Sequence, residues 1–314
     1  MSTRLPKLTC GLALLFAVFC ASQGGWAQGP VSSQQAVTEP AAEAAGEVPI
    51  DAQQASQIVR NSLEALEELR SITARLRFQV HVLGFDMFGN GIFAQGPIDE
   101  HRYRFELQMR IEDPQQKKVE EQTSILLHVC DGDHLWRHQH LPDQEEPSVS
   151  KIDVDATYFG LASRRRADGF GDFPRTPALG GLARTVRELD AAFEFVEARA
   201  TRLGDLDVWA IRGQWDATRL AKLVPGGSLE TLPPQLPEYI VIYIGRDDSI
   251  PYRFDYYRRG SGRAANTPMM TLELYEVRLN GPLDGKQFTY LPGELPVQDG
   301  TATFQQQLDV SPVE

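Results

Sequence analysis

His134, His138 and His140 lie close together and follow Asp131 and Asp133. His138 and His140 are two apart, so a strand would put both on one face. Imidazoles so placed, with a carboxylate oxygen beside them, have the donor set of a zinc or copper site. A polar turn running into a solvated strand edge accounts for the same residues more simply, so no metal is assigned. Cys130 becomes a nucleophile only with a base nearby, and His128 points the same way along a strand. The apolar neighbours of Cys130 favour a buried structural thiol instead.

Other chemistry is sparse. There is no Gly-x-Ser-x-Gly elbow, His-Glu-x-x-His helix or phosphate-cradling glycine loop. Gly260-Ser261-Gly262 falls short of an elbow and lies between strands, and Arg164-Arg165-Arg166 reads as a solvated run. The carboxylates form no pair distinct from an acidic surface. The expectation is a protein without catalysis and without a cofactor. The net charge is −12, and loss of residues 1–27 removes Arg4, Lys7 and no acid, leaving 29 basic against 43 acidic residues, or −14. Nucleic acid, which needs a basic footprint, is excluded as a partner.

The elements that would position such residues begin after an export signal. Arg4 and Lys7 precede an apolar run at residues 8–20, followed by small residues up to Gly25-Trp26-Ala27. The run is too short to span a bilayer, and cleavage near Ala27 is expected. Lipid anchoring at Cys20 is disfavoured by the bulky Phe19 before it. Cys130 is then the single cysteine of the mature chain, so no intrachain disulfide is expected, and a large packed core must hold the fold. The chain divides into a signal (1–27), a disordered linker (28–50), one domain (51–300) and a tail (301–314).

Within the domain, Asp51 is a plausible N-cap, and Ala55, Ile58, Val59, Ser62, Leu63, Leu66 and Leu69 fall on one helix face. The period then becomes two. Ala74, Leu76, Phe78, Val80 and Val82 alternate with polar residues, as do Tyr103, Phe105, Leu107, Met109 and Ile111, giving strands with one apolar face. Residues 84–90 read as a turn and 91–95 as a short strand. Further strands are expected at 124–130 and 135–138, a helix at 180–193, and strands at 193–202 and 208–214. Residues 238–245 and 252–257 flank the turn Arg246-Asp247-Asp248-Ser249, a hairpin followed by a third strand at 270–279 and a last short strand.

These pieces, in this order, resemble the LolA-like outer-membrane lipoprotein carriers. The likeness is carried by Gly91-Ile92-Phe93 with Pro97 and Arg102 or Arg104, and by Asp131-Gly132-Asp133-His134-Leu135-Trp136. It continues through Gly245-Arg246-Asp247-Asp248-Ser249-Ile250 with Phe254, and closes with Phe288-Thr289-Tyr290-Leu291-Pro292. The resemblance implies an α+β fold, mainly antiparallel β: an unclosed (half) β-barrel whose concave face is covered by helices and takes acyl chains.

On that basis Leu76, Phe78, Val80, Tyr103, Phe105, Leu107, Tyr252 and Phe254 are the expected lining of an acyl cavity. Leu182, Val186, Leu189 and Phe193 would face it from a lid helix. In the carriers an arginine before the early proline locks the lid; here Gly96 precedes Pro97, and Arg102 and Arg104 are the candidate polar lid contacts. The implied protein is periplasmic and monomeric, with lipid or lipoprotein acyl chains as ligands and envelope membrane proteins as partners. A sensor built on the same half-barrel, or a scaffold whose cavity is filled by its own side chains, are the alternatives.

Overall fold

The computed structural model describes residues 50–82, 85–112, 123–141, 144–157, 181–233, 236–258 and 267–308. The expected signal, most of the linker and the Arg164–Arg166 run lie outside these. Helix α1 (Ala52–Glu68) starts where Asp51 accepts from the Gln54 amide at 2.9 Å, as a capping carboxylate should, and buries Ala55, Val59, Ser62 and Leu66. Twelve strands follow: β1 (Ile72–Val82), β2 (Phe85–Gln95), β3 (Arg102–Glu112), β4 (Thr123–Asp131), β5 (His134–His140), β6 (Ser148–Asp153), β7 (Phe193–Leu203), β8 (Leu206–Trp215), β9 (Tyr239–Gly245), β10 (Pro251–Tyr257), β11 (Pro268–Leu279) and β12 (Val297–Asp299). Between β6 and β7 lies α2 (Gly181–Ala192), after β8 comes α3 (Ala217–Leu223), and α4 (Thr301–Leu308) follows β12.

All twelve strands form one sheet, ordered β12-β6-β5-β4-β3-β2-β1-β11-β10-β9-β8-β7. Every pairing is antiparallel except β12 with β6. The end strands β12 and β7 do not pair with each other, so the barrel is open, as the α+β half-barrel expectation requires. A twisted sheet of this width must curl. Its inner face and the buried sides of α1, α2 and α4 form one hydrophobic core.

The structure departs from the sequence reading in three places. The expected turn at 84–90 is mostly strand: β2 runs its full length against β1, from Phe85 opposite Val82 to Gln95 opposite Ile72. Its glycines are there for close approach. A Cβ on Gly91 would overlap the carbonyl oxygen of Glu106 in β3, and one on Gly89 would sit 2.9 Å from Met109 Cγ. The expected last strand at 288–292 is absent. A 3-10 turn at Gly285–Phe288, capped by Asp284, leads into an irregular segment across the outer face, with Phe288 buried and the Tyr290 ring 5.6 Å from Trp136. Finally, residues 301–308 are helical, and Phe304 joins the core.

Candidate functional site

The inner face owes its character to register. Met109, Gly89, Phe78, Leu272, Phe254, Ile242, Ile211 and Ala198 are successive cross-strand partners from β3 to β7. One apolar row thus crosses eight strands, because alternation sends every second residue to the same side. Beside it run Leu107, Gly91, Leu76 and Leu274. The eight residues expected to line a cavity all lie in this face and are 0–7% exposed. In this conformation they pack against one another and against the helices.

Helix α2 roofs the face. Leu182, Val186 and Leu189 are buried in the shared core, whereas Phe193 is already the first residue of β7, its ring 4.5 Å from that of Trp215. An ion pair from Arg187 to Glu67 ties α2 to α1 at the surface. At its N-terminus the Leu182 amide, which has no acceptor within the helix, donates to Gln95 Oε1 at 3.2 Å. Gly181 has φ +59°, and a Cβ there would overlap the Gln95 side-chain amide. Gln95, Pro97, Ile98, His101, Arg102, Tyr103 and Gly181 line a recess of about 180 Å³, including its mouth, at this junction.

Arg102 and Arg104 stand elsewhere than expected. Their parity in β3 is opposite to that of Tyr103 and Phe105, so they lie on the outer face. Arg104 Nη2 pairs with Glu106 at 2.6 Å and its Nη1 donates to the Gln287 carbonyl at 3.4 Å. Arg102 pairs with Glu100 and lies over the Phe288 ring, reaching the recess only at its rim. At this end of α2 the side-chain contact is made by Gln95, which precedes Gly96. Its sequence signal was a glutamine on the apolar parity of β2, in step with Phe93.

The histidine cluster faces outward, and His138 and His140 are partnered by protein. His138 Nδ1 is 2.8 Å from Tyr290 Oη, and His140 Nε2 is 3.3 Å from the Gln144 carbonyl. Asp131 Oδ1 is occupied by the amides of Asp133 and His134. Cys130 is fully buried, and burial above all pushes its thiol up to about 12, so no thiolate forms near neutrality.

A second polar cluster, which alternation alone did not single out, lies outside β9 to β11. Asp255 is 0% exposed and accepts from Arg253 Nε and Thr271 Oγ1, both at 2.8 Å. The Arg253 guanidinium also lies over the Tyr243 ring, 5.5 Å from its centroid. Burial, with the Asp255 charge, pushes the Tyr243 hydroxyl up to about 12. With Tyr239 and Tyr257 stacked at 4.7 Å, this cluster clamps neighbouring strands together.

No family model matches the chain, and no curated protein matches it. Among solved structures it is similar to LprF from Mycobacterium bovis, at 12% identity and TM-score 0.37 over 74% of this chain and 96% of that one. It is also similar to the lipoprotein LppX of Mycobacterium tuberculosis, at 14% identity and TM-score 0.35 over 74% and 98%. A LolA superfamily protein from Nitrosomonas europaea matches at 11% identity and TM-score 0.26 over 77% and 98%. At these scores the backbones coincide only loosely, and the open half-barrel is established by this chain's own strand order.

Proposed function

We infer that the protein is an exported carrier that holds the acyl chain of a lipid or lipoprotein against the inner face of its half-barrel and catalyses nothing. The observation that carries this reading is the apolar row crossing eight strands beneath a helix. A face of that kind takes hydrocarbon in preference to water, at about 0.8 kcal/mol for each methylene buried. Sequence resemblance to the lipoprotein carriers supports the same reading. Among the described residues no helix is long and apolar enough to cross a membrane.

Because Leu76, Phe78, Val80, Tyr103, Phe105, Leu107, Tyr252 and Phe254 are packed over, loading requires α2 to swing away and the acyl chain to replace Leu182, Val186 and Leu189 against the sheet. The carrier works as a monomer, receiving and passing its ligand at envelope membrane proteins. Delipidated protein should take up a fluorescent fatty acid with saturable, near-equimolar stoichiometry. Absence of uptake where the same probe partitions fully into phosphatidylcholine vesicles would overturn the reading.

A further inference from the structure

The inner face changes character toward β12. Phe105, His128, Arg137 and Ser150 are successive cross-strand partners on β3 to β6, so a row two places from the one that is apolar from β3 to β7, with that of Leu107 between them, turns polar. His128 is 2% exposed, and neither ring nitrogen has a hydrogen-bond partner. A buried nitrogen left without a partner destabilises the fold, and a leucine of similar size would avoid that cost. Directly opposite is Arg137, whose guanidinium lies over the Phe304 ring of α4, 5.9 Å from its centroid, with no carboxylate paired to it among the described residues. Burial, then the Arg137 charge, holds His128 well below its ordinary value, so the imidazole is neutral and keeps one N–H to donate. A guanidinium, an imidazole and the Ser150 hydroxyl in one register row are the donors of an oxyanion site.

We propose that His128, Arg137 and Ser150 form a subsite for the oxyanion head, carboxylate or phosphate, of an amphiphile whose acyl chain lies across the apolar part of the same face, beyond Phe105 and Leu107. This rests on the carrier reading above and narrows its ligand to acidic lipids. Phe105 belongs to the apolar lining and is also the cross-strand partner of His128, so head and chain sites are continuous.

The test compares oleate, methyl oleate and inorganic phosphate as ligands of the delipidated protein by calorimetry. Oleate should bind about tenfold or more tightly than its ester, the worth of a charged hydrogen bond, and the ratio should fall toward one in Arg137→Met and in His128→Leu. Equal affinity of acid and ester for the unaltered protein would overturn the subsite and leave the carrier reading standing. If neither amphiphile binds, the carrier reading falls; phosphate binding that Arg137→Met abolishes would then identify a free-anion site and overturn the amphiphile. His128→Leu should unfold no earlier in urea than the unaltered protein. An earlier midpoint would mean that protein groups hold the imidazole, and would overturn its role as a ligand.

Discussion

The junction of Gln95 with Gly181 yields a quantitative expectation. Replacing Gln95 by alanine leaves the Leu182 amide without an acceptor in a buried setting, at about 1–3 kcal/mol. Replacing Gly181 by alanine forces a Cβ residue to φ +59°, at about 1–2 kcal/mol, and also expels the Gln95 amide, losing the same hydrogen bond. The single variants together therefore count that bond twice. In the double variant it is lost once and the clash is gone, so the costs should fall short of additivity by about 1–3 kcal/mol. Urea unfolding of the four proteins gives the coupling, and hydrogen exchange at the Leu182 amide locates it. In Gln95→Ala that amide should exchange faster, and on the carrier reading proposed above, in which this helix swings away for loading, acyl uptake should quicken. Additivity within about 0.5 kcal/mol would refute the argument, since residues that do not share an interaction behave that way.

Three further outcomes follow from the packing. Gly91→Ala should cost about 1–3 kcal/mol or more, because the clash is with the Glu106 backbone, which cannot rotate aside; an unchanged melting temperature would show that β2 and β3 are not so close. Asp255→Ala should cost about 3–5 kcal/mol in urea unfolding, since it strips Arg253 of its buried partner, while Asp255→Asn keeps an acceptor and should cost less. The Cys130 thiol, raised from 9.0 to about 12, stays neutral in the fold and ionises first in the unfolded chain. Its stabilisation is therefore whole below pH 9 and lost as pH rises toward 12, about 2 kcal/mol of it by roughly pH 10.5. Cys130→Ala should remove that part of the alkaline decline, measured as urea midpoints at two pH values; an identical decline in both proteins would contradict the burial.

Much of the fold was legible because alternation and capping are local. Asp51 capped the helix it was expected to cap, and the hairpin of β9 and β10 turned at residues 246–249 as their turn chemistry indicated, with the Ser249 amide bonded to the Gly245 carbonyl. The misreadings share a cause. Gly89, Asn90 and Gly91 look like a turn because a glycine needed for backbone flexibility and one needed for close approach are the same letter. Which need applies depends on Glu106 and Met109, some fifteen to twenty residues away. Likewise Phe288-Thr289-Tyr290 has strand composition, but the outer face it crosses offers Trp136 and His138 as ring partners for Tyr290, not a free strand edge.

The site shows the same division more sharply. Which residues of a strand share a face is a property of that strand, so the apolar faces of β1 and β3 could be named from spacing. Which residues of different strands meet is a property of register, and no single strand contains it. His128 was visible as a companion of Cys130 and Arg137 only as a polar residue between Trp136 and His138. Their meeting with Ser150 needed β4, β5 and β6 aligned to the residue. A slip of one position would turn Arg137 outward and bring Trp136 or His138 in against the core, which the burial of Leu135 and Ile152 in the same face forbids. The packing that fixes the sheet's register thus also fixes a basic group and an unpartnered imidazole side by side on the face proposed to meet the ligand.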